Sequence, residues 1–180
     1  IDLRENLGGD FAALLRALSP FYCQPTLVGY IDAPRRPGTE PQAFPNSIEP
    51  NDQFAILETA KQVMLITYEG YGCYRGSLTI LVDENTGSSA EIFAQALQES
   101  GRAKVLGQRT KGEVVMSMWY DISYLLGPGY SMSIPEAAYS TVQNAQLENT
   151  GVLPDRELYY HLYDEVHGRD SWLEAVNSGK

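Results

Sequence analysis

The fold of this chain is decided by one stretch of sequence, Asp83-Glu84-Asn85-Thr86-Gly87-Ser88-Ser89-Ala90-Glu91-Ile92-Phe93. The run before it, Leu-Thr-Ile-Leu-Val at positions 78–82, is β-branched and apolar and predicts a buried strand. After it, apolar residues recur on one face of a helix, which Gly101 is expected to end. The pattern therefore predicts a strand, a sharp turn that carries Ser88, and an amphipathic helix.

Two interpretations of Ser88 fit this local pattern. A serine followed three residues later by Glu91, just ahead of an apolar helix, is a capping box, and on local chemistry alone this structural role is the commoner one. A serine on a strand-to-helix turn also has its hydroxyl exposed above the positive end of the helix dipole. That position suits a nucleophile that generates and then stabilises an oxyanion.

Composition limits the classes of function. With 180 residues, of which 43% are hydrophobic, the chain can bury one substantial core, so a single domain is expected. The net charge of −10 argues against nucleic acid or an anionic membrane as a partner. We also expect no membrane span, because no run approaches the roughly 18 apolar residues that a spanning helix needs.

The cysteines and histidines give little sign of a metal or cofactor. Cys23 and Cys73 are too few for a disulfide scaffold, and the sequence leaves open whether they pair or remain separate buried thiols. The two histidines come without Cys-x-x-Cys or His-x-x-x-His spacing. We therefore expect no zinc site and no other cofactor.

Two segments precede the central stretch. Residues 1–4 are typical of the end of a strand, and the pair Gly8-Gly9 leads to Asp10, which is expected to cap a helix. Such a loop can point backbone N–H groups at a ligand oxygen, although a simple tight turn is the commoner explanation. Pro20 to Pro50 holds seven of the ten prolines and is predicted to be a surface excursion that could edge a substrate groove.

The other elements are predicted from apolar periodicity and turn residues. They are a helix over 51–61, strands over 63–68 and 104–107, an antiparallel hairpin between 113 and 134, and a closing helix over 171–176.

Four stretches together carry a resemblance to a known family. They are Asp2-Leu3-Arg4-Glu5-Asn6-Leu7-Gly8-Gly9, Thr86-Gly87-Ser88-Ser89-Ala90-Glu91-Ile92, Val105-Leu106-Gly107-Gln108-Arg109-Thr110-Lys111-Gly112, and Gly151-Val152-Leu153-Pro154-Asp155. In this order they resemble the S41 serine peptidases, which comprise the C-terminal processing or tail-specific proteases and their tricorn-like relatives. Gly168-Arg169-Asp170 ahead of the last helix also fits.

The resemblance implies both a fold and a set of site residues. The fold would be α/β, a crotonase- or ClpP-like ββα catalytic domain over residues 1–180, with a proline-rich insertion at about 20–50. Ser88 would be the nucleophile, and Ser89 would donate a backbone N–H to the oxyanion. A second donor would come from Gly8 or Gly9, without a preference between them.

The resemblance also bears on how Ser88 is activated. The processing proteases use a lysine just after the Gly-x-x-Thr-x-Gly motif, and this sequence has Glu113 there. Lys111, one strand repeat earlier, would lie roughly 6–7 Å away, too far for a hydrogen bond to Ser88. The tricorn-like branch instead uses a histidine supported by a glutamate, and Glu148 stands where that glutamate is found. A carboxylate orients and stabilises an imidazolium, so this branch is favoured.

The histidine itself is not evident. His161 and His167 lie in the C-terminal tail and are predicted to be surface or packing residues. In the tricorn-like branch the histidine precedes the Asp-x-Arg-x-Asn-x-Gly-Gly motif, at which this sequence begins. We therefore expect the chain to be the C-terminal part of a longer peptidase whose upstream segment supplies the base, and the isolated fragment to be inactive.

These observations predict a serine endopeptidase that hydrolyses peptide or protein substrates through an acyl-enzyme at Ser88. Substrates are expected to bind in extended form, and the protein to be extracytoplasmic, either periplasmic or secreted. Two alternatives remain: a non-catalytic, retinoid-binding-like module of the same fold, and a scaffold used for assembly.

Overall fold

Helices and strands alternate along the chain in the computed structural model, which describes residues 1–32 and 40–178. The helices are α1 (Phe11–Tyr22), α2 (Pro50–Thr59), α3 (Ser89–Glu99), α4 (Ser123–Leu126), α5 (Leu162–Val166) and α6 (Ser171–Asn177). The strands are β1 (Leu27–Asp32), β2 (Gln42–Ala43), β3 (Gln62–Ile66), β4 (Thr79–Val82), β5 (Lys104–Gly107), β6 (Met116–Asp121), β7 (Ser131–Ser140) and β8 (Arg156–Glu157). Within these ranges, no helix has the length and apolar character needed to cross a membrane.

The strands form two sheets. In the larger sheet the order is β2-β3-β1-β7-β6, and β1 pairs antiparallel with both β3 and β7. In the smaller sheet β4, β5 and β8 run parallel. Residues 1–4, predicted to end a strand, meet the smaller sheet through an isolated bridge: Asp2 pairs with Leu81 in parallel, and the Leu3 N–H donates to the Leu81 carbonyl at 2.9 Å. This segment leads from the sheet straight into the loop that contains Gly8 and Gly9.

The smaller sheet is covered on both faces. Ile80 and Val82 of β4 pack into the main core, which also includes α1 and α3. Leu81, between them, faces the other way and meets Leu106 and Trp172 in a second buried cluster. This alternation follows from the period of two along a strand, and parallel sheets need cover on both sides. Helix α6 supplies the second cover.

Arg4 ties the N-terminal segment to α6. Its Nη2 donates at 2.6 Å to a carboxylate oxygen of Asp2 and at 2.6 Å to one of Asp170. The guanidinium carbon also lies 5.6 Å from the centroid of the Trp172 ring. Asp170 caps α6 as well, because its carboxylate accepts from the Trp172 N–H at 3.1 Å. The Gly168-Arg169-Asp170 stretch ahead of the last helix therefore has a structural role, because its Asp170 both caps α6 and binds Arg4.

The prediction that Pro20 to Pro50 is a surface excursion is wrong for residues 27–32. Leu27–Asp32 forms β1 inside the larger sheet, and its Val28 and Ile31 side chains are buried. The prolines bound this strand and do not interrupt it, so they do not remove a ladder donor. Residues 33–39, with the prolines at 34 and 37, lie outside the described residues. The insertion boundaries and the groove edge stay predictions.

The other predicted elements are confirmed, with small shifts of their ends. The helix over 51–61 is α2, the strand over 63–68 is β3, the strand over 104–107 is β5, and the closing helix is α6. Asp10 caps α1 by accepting from the Ala13 N–H at 2.9 Å. Cys23 and Cys73, whose pairing the sequence leaves open, form a disulfide.

The predicted hairpin is present, but its tip differs. β6 ends at Asp121, and α4 forms a turn of helix where the sequence predicts a strand. β7 continues past Pro135 as far as Ser140. Pro135 is tolerated because it lies beside a register shift opposite Ser117 and before the residues, 138–140, that pair with β1.

Beyond the residues that pair with β1, β6 and β7 form a two-stranded ribbon. Its tip carries Tyr124, Leu125 and Leu126, which are 81%, 67% and 62% exposed, and Trp119 on β6 is 69% exposed. The ribbon adds exposed apolar side chains to the surface and little to the core.

The Arg4–Asp170 pair makes a prediction about acid stability. Hydrogen bonding from Arg4 lowers the pKa of the Asp170 carboxyl below its usual value. A carboxyl whose folded pKa is lowered contributes stability above its unfolded pKa and loses it as the pH falls through the folded value. We expect Asp170→Asn, which keeps a cap oxygen, to lower the free energy of unfolding at pH 7, and the gap to wild type to narrow below about pH 4. Urea unfolding at several pH values measures this.

The control is Glu174→Gln on the same helix, which removes an exposed pair with Arg169 at 2.8 Å. Exposed ion pairs contribute little to stability, so the free energy of unfolding of this variant should equal that of wild type at every pH. If Asp170→Asn behaved like Glu174→Gln, Arg4 would not anchor α6.

Candidate active site

Ser88 occupies a strained turn at the head of α3. Its backbone has φ 55° and ψ −129°, a conformation that L residues rarely adopt. Holding a serine in it costs on the order of 1–3 kcal/mol, so the surroundings must fix it. The Ser88 N–H donates to the Glu113 carbonyl at 3.1 Å and to Glu91 Oε2 at 2.9 Å. The predicted sharp turn is therefore present, and the half-buried Ser88 side chain stands at its apex.

The glycine loop packs directly on this turn. Gly8 has φ +94°, and a Cβ added there would lie 2.6 Å from Ser88 Cβ and 2.9 Å from the Ser89 nitrogen. No side chain fits in that space, so glycine is required for the loop to approach the turn. The Gly87 N–H holds the two segments together by donating to the Asn6 carbonyl at 2.9 Å. The first two motifs thus meet at Ser88.

The two glycines of the loop differ in their hydrogen bonds. The Gly8 N–H donates to Asn6 Oδ1 at 2.9 Å and is occupied. The Gly9 N–H and the Ser89 N–H have no acceptor within residues 1–32 and 40–178. Ser89 opens α3, where N–H groups lack partners inside the helix. Gly9 and Ser89 are therefore the donors that remain available to a ligand oxygen.

Glu91 joins the second motif to the third. Its side chain is fully buried, and Oε2 accepts from the N–H groups of Ser88 and Glu113, at 2.9 and 3.0 Å. Oε1 accepts from the Thr110 hydroxyl at 2.6 Å and from the Gly112 N–H at 2.7 Å. One carboxylate with several donors is a low-energy way to bury a charge. Glu91 therefore fixes the Ser88 turn against residues 110–113.

The capping box at Ser88 is present, but the hydroxyl is not essential to it. Glu91 closes one half through the Ser88 N–H. In the other half the Ser88 side chain faces the Glu91 N–H, but that N–H already donates to the Ser88 carbonyl at 2.9 Å. The structural and the functional interpretations of the Ser-x-x-Glu pattern are therefore compatible, since the cap does not depend on the hydroxyl.

Glu148 lies close to this assembly. Its side chain is half-buried, and its Oε2 accepts from the N–H groups of Val114 and Val115, at 2.8 and 3.1 Å. Val114 follows Glu113, whose carbonyl binds the Ser88 N–H. The third and fourth motifs meet alongside, where the Val152 N–H donates to the Thr110 hydroxyl oxygen at 2.6 Å. Glu148 is thus a carboxylate positioned through Oε2, and no residue in the described part of the chain donates to its Oε1.

The basic residues considered in the sequence are not bonded to Ser88. The Lys111 ammonium lies 2.8 Å from Glu113 Oε2, and both side chains are substantially exposed. His161 and His167 are exposed as predicted, and His167 Nδ1 lies 2.7 Å from the Tyr163 carbonyl. Within the described residues no group of three or more His, Cys, Asp and Glu side chains is arranged to hold a metal ion.

An apolar cavity of about 410 Å³ opens beside the Ser89 backbone. One wall is the α1 face that carries Leu14, Ala17 and Phe21, and the opposite wall includes Phe93 of α3. Gly8 and Gly9 lie at its rim. The cavity can hold an apolar side chain of a ligand whose oxygen points at the free N–H groups.

Sequence reasoning placed Ser88, Ser89, Gly8 and Gly9 together, and the structure does bring them together. It did not identify Glu91 as more than a cap residue, and it gave α1 no role at the site. No local signal marked the role of Glu91, because its partners at 110–113 lie 19 to 22 residues further along the chain.

The Glu91 network predicts a large effect of an isosteric change. In Glu91→Gln one oxygen becomes an NH₂ group, which faces backbone N–H donors in either orientation. Each donor left without a partner costs about 1–3 kcal/mol, so we expect the free energy of unfolding to fall by about 2–5 kcal/mol. Urea unfolding followed by circular dichroism measures it.

Glu99→Gln is the matched control on the same helix. Both contacts of Glu99, with the Thr141 hydroxyl and the Gln143 N–H, use Oε1, and a glutamine oxygen can keep them. The free energy of unfolding of Glu99→Gln should fall by less than about 1 kcal/mol. Equal losses in the two variants would contradict a special role for Glu91.

The chain matches a protein-family model and several known proteins. A model of peptidase family S41 matches residues 1–158. The carboxyl-terminal-processing protease of Picosynechococcus sp. is 33% identical over 107 residues, which are 58% of this chain and 25% of that protein. The tricorn protease of Thermoplasma acidophilum is 29% identical over 104 residues, which are 56% of this chain and 9% of that protein. The chain thus spans a quarter or less of the length of these relatives.

Solved structures support the fold. Mature CPAF complexed with lactacystin has a TM-score of 0.72 at 16% identity, over 98% of this chain and 42% of that one. The predicted α/β fold is confirmed. Relatives of both the processing and the tricorn kind match, without separating the two branches. With the family model covering most of its length, the chain belongs to peptidase family S41.

Proposed function

We propose that the protein is a serine endopeptidase that cleaves peptide bonds through an acyl-enzyme at Ser88. One observation carries the proposal: Ser88 is held at the head of α3 in a strained turn, beside backbone N–H groups that no described residue accepts from. The hydroxyl oxygen attacks the scissile carbonyl carbon, the amine product leaves with a proton, and water then hydrolyses the ester. Membership of a peptidase family supports this assignment.

The oxyanion hole is formed by the N–H groups of Ser89 and Gly9. Both are unpaired in the described structure, whereas the Gly8 N–H is bonded to Asn6. Gly8 instead allows the loop to approach Ser88, because a Cβ at this position would lie only 2.6 Å from Ser88 Cβ. Donors aimed at the developing negative charge supply much of the catalysis in acyl transfer.

The general base comes from a segment of the same protein outside these 180 residues. Lys111 is paired with Glu113, and His161 and His167 are exposed in the tail. Glu148 then supports the base, which fits a tricorn-like arrangement of serine, histidine and glutamate. Its Oε2 is anchored on the backbone, and its Oε1 can accept from an imidazole N–H.

The substrate is a peptide or protein with an apolar side chain next to the cleaved bond. The cavity beside Ser89 is lined mainly by apolar side chains of α1 and α3. The substrate backbone binds in extended form, which leaves its carbonyl free to reach the oxyanion hole. A crotonase-like ββα architecture for the domain remains part of this proposal.

The compartment is extracytoplasmic. The Cys23–Cys73 disulfide supports this, because disulfides persist in oxidising compartments and are rare in the cytosol. The sequence alternatives, a retinoid-binding-like module and an assembly scaffold, need no strained serine and no unpaired N–H groups beside it.

A fluorophosphonate probe tests the nucleophile in the full-length protein. We expect the probe to label the wild type on Ser88, and Ser88→Ala to abolish both labelling and peptide hydrolysis, because the hydroxyl oxygen is the attacking atom. Mass spectrometry of the labelled peptide locates the adduct.

Ser89→Ala is the control, since it keeps the backbone N–H and removes a neighbouring hydroxyl. It should retain labelling. Hydrolysis that persisted in a folded Ser88→Ala protein would contradict the proposal.

Two further variants of the full-length protein test the activation scheme. Glu148→Gln keeps an acceptor for Val114 and Val115 but loses the charge, so kcat should fall by roughly 10²-fold or more. Lys111→Met removes an exposed ion pair and should change kcat little. Steady-state kinetics on one peptide compares them, and an inactive Lys111→Met beside an active Glu148→Gln would indicate a serine–lysine mechanism instead.

A further inference from the structure

The disulfide joins the end of α1 to an exposed segment. Cys23 follows Tyr22, the last residue of α1, and Cys73 lies in the connection between β3 and β4. Residues 69–77 of that connection are exposed throughout, Cys73 among them, and Cys23 is half-buried. A reductant in solution can therefore reach the bond.

Helix α1 also forms one wall of the apolar cavity. Its N-terminus follows the Gly8–Gly9 loop, and Phe21 near its other end lines the cavity together with Phe93. The rings of Phe21 and Phe93 pack edge-to-face with centroids 6.0 Å apart. The position of Phe21 thus sets the size of the cavity at the end away from Ser88.

Tyr74, the neighbour of Cys73, packs on Phe21 from the outside. Their rings are perpendicular with centroids 6.0 Å apart, and the Tyr74 N–H donates to the Pro20 carbonyl at 2.7 Å. Arg102 completes the contact by donating to the carbonyls of Phe21 and Tyr74, at 3.2 and 2.6 Å. Tyr74 therefore braces the cavity wall and is itself held by the adjacent disulfide.

We propose that the Cys23–Cys73 disulfide determines the substrate selectivity of the site, by holding Tyr74 against the Phe21 wall of the cavity. Reduction by a dithiol breaks the S–S bond with two electrons and two protons, forms two thiols, and leaves the reductant as a disulfide. The exposed segment then loses its covalent link to α1 and keeps the weaker hydrogen bonds from Tyr74 to Pro20 and from Arg102 to Tyr74, so the outer support of Phe21 is loosened. The opposite end of α1, which Asp10 caps beside the Gly8–Gly9 loop, is unaffected.

The activity arm of the test rests on the proposed peptidase function. Full-length wild type is compared, oxidised and dithiol-treated, on two peptides that differ in leucine or alanine at the cleaved bond. Reduction should raise KM for the leucine peptide by about tenfold, which is the effect of losing pocket contacts with roughly one methylene group. The value of kcat for both peptides, and KM for the alanine peptide, should change by less than about twofold.

Two variants separate the effect of breaking the disulfide from other effects of the reductant. Cys23→Ser/Cys73→Ser should show the reduced behaviour under both conditions, with no response to dithiol. Tyr74→Ala keeps the disulfide and should also lose selectivity for leucine. Alkylation of two thiols after treatment confirms reduction, and unchanged selectivity in that sample would overturn the inference.

The second arm does not depend on catalysis. The apolar dye N-phenylnaphthylamine is titrated into the oxidised and the reduced protein, and hydrogen exchange of the Tyr74 amide is followed. We expect several-fold weaker dye binding and faster exchange on reduction. If no peptide were cleaved, the proposed function would fail, but the dye would still test the role of the disulfide. Weaker dye binding after reduction supports a disulfide that shapes the cavity, and equal binding overturns it.

Discussion

The site depends on one buried carboxylate. Glu91 is fully buried, and it accepts four hydrogen bonds that come from the Ser88 turn and from residues 110–113. Since both oxygens are shared between donors, neither segment can move without leaving a polar group unpaired in the interior. The strained backbone of Ser88 is stable for this reason, and the hydrogen bonds that hold it end on a side chain that is fully buried.

Other constraints build on this one. Gly8 brings its loop against Ser88, and Asp2 and Arg4, earlier in the same segment, attach it to β4 and α6. Glu148 fixes Val114 and Val115, the two residues between Glu113 and β6. Residues far apart in the sequence therefore define the position of a single hydroxyl. The chemistry proposed for that hydroxyl needs such rigidity, because acyl transfer depends on donors placed before the charge develops.

Local signals in the sequence predicted more of the fold than of the site. The strand, turn and helix around Ser88 follow from neighbouring residues, as does the Asp10 cap. β1 was not predicted, because the surrounding prolines outweighed a short apolar run over 27–32. The role of Glu91 could not be predicted, since three of its donors come from residues 110–113, which only folding brings near. The same holds for Cys23 and Cys73, whose sequence separation of 50 carries no information on pairing.

The exposed ribbon of β6 and β7 has a consequence for how the molecules behave in concentrated solution. Its apolar tip is separated from similar tips on other copies by mutual repulsion, because each chain carries a net charge of −10 at pH 7. When acid protonates the carboxylates, this repulsion weakens, and hydrophobic contacts between the tips of two copies become favourable. We therefore expect the acidic surface to keep these chains apart, and association to begin in mildly acidic media or at high salt, which screens the same repulsion.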